Sequence, residues 1–241
     1  MQEWKERRNC LVLVPTAGGK TVAAEVAIAQ LLQSNPTAQI IYCLPFVSLA
    51  AEKFTDFSLR FKSFHVKPFY ASIGTSEFSS GSIAICTFEK AHSLINAAIR
   101  NKYIDNFKLI IIDEIHMLGD SHRGATVEAL VSKIRLLKTQ PQIIGLSATI
   151  SRDDAAIYGK WMDGIVFSCT DRPSIISQYV VWQDGRLSPL KNGKINQHFR
   201  KFETITEDTN YLLPIIADSL SQNSKNTILI FVNSRKETRS Y

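Results

Sequence analysis

Five short apolar runs, Leu11–Val14, Ile40–Leu44, Ile83–Cys86, Leu109–Ile112 and Ile143–Leu146, alternate with longer stretches of helical pattern, Thr21–Gln33, Ser48–Phe57, Phe88–Arg100 and Gly124–Lys138. A strand that is apolar at every position must be covered on both faces. An intervening helix returns the chain so that the next strand lies parallel to the last. The alternation therefore predicts an α/β fold with a doubly wound parallel sheet. Ligands of such sheets bind at the carboxyl ends of the strands, and the chemically suggestive residues of this chain fall there.

The chain has 241 residues, 45% of them hydrophobic and 21% charged, enough for one full core and part of a second domain. No run approaches the roughly 18 uninterrupted apolar residues of a transmembrane helix. The charged opening Met1–Asn9 lacks the apolar region and small-residue cleavage site of a signal peptide, so the chain reads as intracellular, with no membrane partner. Cys10, Cys43, Cys86 and Cys169 form no C-x-x-C pair, which favours four reduced core thiols over a metal or disulfide framework. A formal charge of +6 suits a nucleic-acid partner without requiring one.

Beyond about Asp171 the pattern loosens into a polar, irregular stretch with turn signals at Asp184-Gly185 and Asn192-Gly193. Helical periodicity returns at Asn210–Leu220, followed by a strand-like run, Thr227–Val232. One helix and one strand cannot close a core of their own. The expected organisation is a first domain over residues 1–168, a linker over 169–208 and the start of a second, incomplete α/β domain over 209–241.

Between the first apolar run and the first helix stands Val14-Pro15-Thr16-Ala17-Gly18-Gly19-Lys20-Thr21. It has the GK[ST] ending of a phosphate-binding loop, with Val14 in place of the usual first glycine. Gly18 and Gly19 allow backbone amides to approach an anion, and the following helix offers its positive end. Lys20 would bind the β- and γ-phosphates and the Thr21 hydroxyl would ligate Mg²⁺. A glycine-containing turn with a solvated lysine would account for the same residues taken alone.

The second piece is Leu109–Ile112 followed by Asp113-Glu114-Ile115-His116. Asp113 would hold Mg²⁺ through water, and Glu114 would polarise the water that attacks the γ-phosphate. Acids at a strand end can also merely cap the next helix. Two such pieces in this order, each after a buried strand, point to Mg²⁺-driven nucleotide hydrolysis. Ser147-Ala148-Thr149 ends the fifth run, where hydroxyls could sense the phosphate. By itself that triplet is an ordinary turn, and His116 an ordinary loop histidine.

These fragments together resemble the superfamily 2 helicases. Pro15–Thr21 looks like motif I, Asp113–His116 like the DExH box of motif II and Ser147–Thr149 like motif III. Leu44–Lys53 resembles motif Ia, and Thr87-Phe88-Glu89-Lys90-Ala91 resembles motif Ib. The extension His116–Gly124 is similar to the Ski2-like branch, nearest the POLQ-like helicases and the helicase part of DNA polymerase theta. Asp171-Arg172-Pro173 resembles the link between motor domains, and Ile228–Lys236 the strand of motif IV.

The resemblance implies a RecA-like P-loop NTPase domain with Thr16, Ala17, Gly18, Gly19, Lys20 and Thr21 around ATP, Thr21 and Asp113 on Mg²⁺, and Glu114, Asp113 and Lys20 in catalysis. His116, Ser147 and Thr149 would couple nucleotide to strand. Pro45, Phe46, Ser48, Thr87, Glu89, Lys90 and Arg123 would face single-stranded or forked DNA, although Lys53, Lys90 and Arg123 would each also suit a solvated helix face. Further implications are 3′-to-5′ polarity, DNA repair and a nuclear location. The family reads adenine with an aromatic and glutamine segment. Gln2 and Trp4 suggest it but lie close to Lys20. Motifs V and VI, with the arginine finger of a second RecA-like domain, are expected after Tyr241. The alternatives are an ATP- and nucleic-acid-binding module without turnover, an RNA helicase of the same superfamily, and an unrelated P-loop kinase, which leaves motifs Ia, Ib and III unexplained.

Overall fold

Every apolar run of the first domain forms a strand in the computed structural model, which describes residues 8–73, 81–171, 176–182, 184, 186–191, 194–195, 200–201, 212–222, 225 and 227–231. The strands are β1 (Asn9–Leu13), β2 (Gln39–Leu44), β3 (His65–Phe69), β4 (Ser82–Thr87), β5 (Phe107–Ile112), β6 (Gln142–Ser147) and β7 (Gly164–Ser168). They pair in parallel in the order β3-β4-β2-β5-β6-β1-β7. Helices α1 (Lys20–Ser34), α2 (Val47–Arg60), α3 (Phe88–Arg100), α4 (Gly124–Arg135) and α5 (Arg152–Trp161) connect them.

The pleat sends alternate residues to opposite faces, and each face has its own core. Ile41, Cys43, Ile110 and Ile112 pack with Phe88, Leu94 and Ile95 of α3 and Val127, Leu130 and Ile134 of α4. Cys10, Ile40, Tyr42, Ile111 and Ile144 pack with Ile28 and Leu32 of α1 and Phe57 of α2. Strand β6 admits a close neighbour: a Cβ added to Gly145 would lie 2.8 Å from Ile115 Cδ1 and 3.1 Å from Leu11 Cδ1.

Strands β3 and β7 were not among the apolar runs, and both lie at sheet edges. An edge strand is not buried on every side, so Lys67 and Pro68 are tolerated in β3. All four cysteines are free, but the expectation of four core thiols is corrected. Cys10, Cys43 and Cys86 are buried, whereas Cys169 is exposed, directly after edge strand β7, whose last three residues are exposed.

The chain forms two compact units, residues 1–174 and 175–241. The second contains β8 (Gln178–Val181), β9 (Arg186–Lys191), β10 (Lys194–Ile195) and β11 (Arg200–Lys201), with β9 antiparallel to each of the others. Part of the stretch expected to be irregular is thus sheet. Trp182 N donates to Arg186 O at 2.8 Å, linking the end of β8 to the start of β9; Gly185, Asn192 and Gly193 of the expected turns lie outside the described residues. Helix α6 (Leu212–Gln222) matches the expected helix at Asn210–Leu220. The strand expected at Thr227–Val232 is not formed over residues 227–231. No described strand pairs with this segment, and Leu229 and Phe231 are 76% and 86% exposed. Gln2, Trp4, Arg172, Pro173 and Val232–Lys236 lie outside the described residues. No helix among the described residues is long and apolar enough to cross a membrane.

Candidate nucleotide site and strand groove

The carboxyl ends of adjacent strands β5, β6 and β1 carry the three motifs expected to handle a nucleotide. The loop after β1 turns tightly. Gly18 N donates to Pro15 O at 2.9 Å, and Val14 N donates to Ser147 O at 3.1 Å, tying the loop to β6. Ala17 and Gly19 take left-handed backbone angles, φ 64° and 95°. Gly19 does so without the Cβ penalty and caps α1 with no side-chain acceptor on the first-turn amides. Open amides at a helix N-terminus are where an anion can bind, and α1 presents its N-terminus without a side-chain cap.

The second strand end supplies the acids. Asp113 N donates to Cys43 O at 2.9 Å, continuing the β2–β5 pairing by one residue. Asp113 is buried, with one oxygen accepting from Tyr42 Oη at 2.8 Å and the other from Glu114 N at 2.9 Å. Burial pushes the Asp113 carboxyl up from its usual range. The Tyr42 hydrogen bond pulls it down, the Glu114 charge raises it, and the Glu114 amide and Lys20 lower it. Burial, and then the charge and hydrogen bond of Asp113, hold the Tyr42 phenol well above its ordinary value, so it stays a donor.

Glu114 sits at φ 52°, at the start of the 3₁₀ turn Ile115–Gly119. This turn aims its carboxylate back at the loop. Lys20 Nζ lies 3.3 Å from Glu114 Oε1, both side chains being partly buried. Glu114 Oε2 is 3.2 Å from His116 Nδ1, which is also 3.2 Å from Ser147 Oγ. Ser147 Oγ accepts from Thr149 N at 3.3 Å. The structure therefore brings Lys20, Asp113, Glu114, His116, Ser147 and Thr149 into one connected cluster.

The donor chemistry suits Mg²⁺ delivered with a nucleotide. Such an ion keeps several waters and takes one or two protein oxygens plus substrate phosphates. Asp113 retains acceptor capacity on both oxygens beyond its two hydrogen bonds. Among the described residues, no group of three or more His, Cys, Asp or Glu could hold a metal by itself.

Towards β4, a second feature opens at the same sheet edge. A cavity of about 380 Å³ is lined by Pro45, Val47, Thr87, Glu89, Lys90 and Arg123, with Ala71 and Ser93. Phe46, Thr87 and Arg123 are the N-caps of α2, α3 and α4, and none makes a side-chain capping bond. Three helix N-termini therefore flank one groove. The Arg123 guanidinium stacks 4.4 Å from the centroid of the exposed Phe46 ring, while Arg123 Nε lies 3.6 Å from Glu89 Oε1. Ser48 is exposed in the first turn of α2. Sequence reasoning missed Tyr42, Ala71 and Ser93, whereas Val47 falls within the motif Ia stretch Leu44–Lys53. Tyr42 carried a signal, being the one residue with a hydroxyl in an otherwise apolar run.

Comparisons with known proteins bear on the family and the fold. The family model for the DEAD/DEAH box helicase matches residues 1–157. The chain is 33% identical over 187 residues to helicase POLQ-like of Homo sapiens, covering 75% of this chain and 17% of that protein. It is 30% identical over 242 residues to ATP-dependent DNA helicase Hel308 of Methanocella arvoryzae, covering 97% and 30% respectively. DNA polymerase theta of Mus musculus is 28% identical over 250 residues, covering 96% and 10%. The chain thus spans less than a third of these relatives' length. Among solved structures, the DUF1998 helicase MrfA superposes over 99% of this chain and 36% of its own, with TM-score 0.68 and 17% identity. That likeness bears on the fold alone, an α/β RecA-like helicase fold.

Proposed function

This chain belongs to the DEAD/DEAH box helicase family, and from that premise we propose that it is the leading motor domain of an ATP-driven DNA helicase of the Ski2-like group. The observation that carries this reading is the 3.3 Å contact between Lys20 and Glu114, which joins the phosphate loop to the acid box. Phosphates would take the open amides of the loop and draw Lys20 from Glu114. Glu114, still 3.2 Å from His116, is then free to accept a proton from an attacking water. Bound Mg²⁺ would neutralise phosphate charge, with Thr21 and Asp113 as its protein ligands. Ser147, bonded to His116 and to the loop, would report the change at the nucleotide.

DNA would lie along the groove of Pro45, Phe46, Ser48, Thr87, Glu89, Lys90 and Arg123, its phosphates facing the three helix N-termini. Contacts of that kind are tolerant of sequence and sensitive to salt. The names DNA helicase Hel308 and DNA polymerase theta support DNA as the strand. A 3′-to-5′ direction, a repair role and a nuclear location belong to the same reading.

We also propose residues 1–168 as the first RecA-like domain, 169–208 as the link and 209–241 as the start of the second RecA-like domain. Helix α6 and the exposed apolar run at Leu229 and Phe231 support that start. The test is ATP hydrolysis by a protein carrying both motor domains, with and without single-stranded DNA. Turnover stimulated by DNA is expected. Turnover indifferent to DNA would reject the strand groove, and none at all would reject the nucleotide site.

A further inference from the structure

Tyr42 is fully buried in the middle of the sheet. The edge of its ring meets Phe57, with centroids 5.2 Å apart and planes at 78°, and Lys53 Nζ stands 5.9 Å from the ring centroid. These neighbours fix the ring, and the fixed ring aims its hydroxyl at Asp113 Oδ2, 2.8 Å away. Phenylalanine would fill the same space with no polar atom to satisfy, so packing alone does not explain the hydroxyl. The other oxygen of Asp113 accepts from the Glu114 amide. One donor on each oxygen defines the carboxylate plane; one donor lies within β2 and the other just beyond the end of β5.

We propose that Tyr42 is a positioning residue for the metal-bound nucleotide, acting only through Asp113. This rests on the reading of Asp113 as a protein ligand of Mg²⁺. Lys20 engages phosphate directly, and its loss would weaken ATP with or without metal. The Tyr42 hydroxyl donates to Asp113, so on this proposal its removal acts through the metal requirement. Outer-shell donors of this kind typically alter metal affinity by about tenfold or more when lost.

The experiment is a Mg²⁺ titration of ATP binding to the 241-residue chain, followed by calorimetry, for wild type, Tyr42→Phe, Asp113→Asn and the double variant. Tyr42→Phe is expected to raise the Mg²⁺ concentration at half-saturation about tenfold, leaving metal-free ATP affinity unchanged. In the Asp113→Asn background, Tyr42→Phe is expected to change nothing further. Unaltered Mg²⁺ dependence in Tyr42→Phe would overturn the inference while leaving the nucleotide site standing. An equal effect in both backgrounds would show that Tyr42 acts independently of Asp113 and would also overturn it. Should wild type bind no ATP at any Mg²⁺ concentration, the underlying nucleotide reading fails as well. Thermal melting of each variant identifies any loss of fold. If Tyr42→Phe unfolds, the inference is decided by Tyr42→Leu, which is smaller and likewise offers Asp113 no donor: a native Mg²⁺ dependence there overturns it.

Discussion

Lys20 Nζ and Glu114 Oε1 lie 3.3 Å apart although 94 residues separate them in the chain. The contact exists because β1 and β5 flank β6, so their carboxyl ends open on the same side of the sheet. On the proposed reading, phosphate would draw Lys20 away and leave Glu114 beside His116 as the general base. Glu114→Gln keeps the size and hydrogen-bonding capacity but loses the charge. In a protein with both motor domains it should bind ATP normally and lose about 100- to 10,000-fold in turnover, the usual range for a general base. Steady-state hydrolysis compared with equilibrium ATP binding checks this, and unchanged turnover would reject the role.

Arg123 stacks on Phe46 and pairs with Glu89 in the groove. If it meets a phosphate, Arg123→Ala should weaken single-stranded DNA binding to a similar extent for all sequences. It should also reduce the slope of log affinity against log salt by about one. Fluorescence anisotropy over a salt series measures both. Glu89→Gln should act in the opposite direction, because it removes the carboxylate that competes for Arg123.

Gly145 has no room for a side chain: an added Cβ meets Ile115 Cδ1 at 2.8 Å and Leu11 Cδ1 at 3.1 Å. Gly145→Ala should therefore cost about 1–3 kcal/mol of stability by overpacking, read from urea unfolding. Ile115 adjoins Glu114, so the same substitution should weaken ATP hydrolysis even where the fold survives.

Thiol accessibility gives a chemical check of the fold. Cys169 is exposed, whereas Cys10, Cys43 and Cys86 are buried. Burial alone pushes the Cys10 thiol up to about 12. One thiol should react promptly with a disulfide reagent at neutral pH, and the other three only on unfolding. The sign of the pH effect follows. The folded state holds these protons more tightly than the unfolded chain, so their contribution to stability is complete below about pH 8.5 and declines above it.

The central strands were legible because burial on both faces demands uninterrupted apolar runs such as Ile40–Leu44 and Leu109–Ile112. Edge strands escape that demand, and His65–Phe69 passed unnoticed with its lysine and proline. Short polar strands such as Lys194–Ile195 carry no apolar alternation by which to be read. At the site, chain order and residue type exposed Lys20, Asp113 and Glu114. The Tyr42–Asp113 hydrogen bond depends on the register Tyr42↔Ile111 between β2 and β5, a pairing across 69 residues that one sequence does not specify. For the same reason the stacking of Arg123 on Phe46 emerged only with the fold.

The most direct measurement is Mg·ATP binding by this chain, wild type against Lys20→Ala, by calorimetry with melting curves for both. Loss of a charge-assisted bond to phosphate corresponds to about 1.5–3 kcal/mol, or roughly ten- to hundredfold in affinity. The expected result is saturable binding by wild type, weakened at least that far in a Lys20→Ala variant that melts like wild type. Equal affinity in the two proteins would contradict the phosphate-loop assignment and with it the proposed motor.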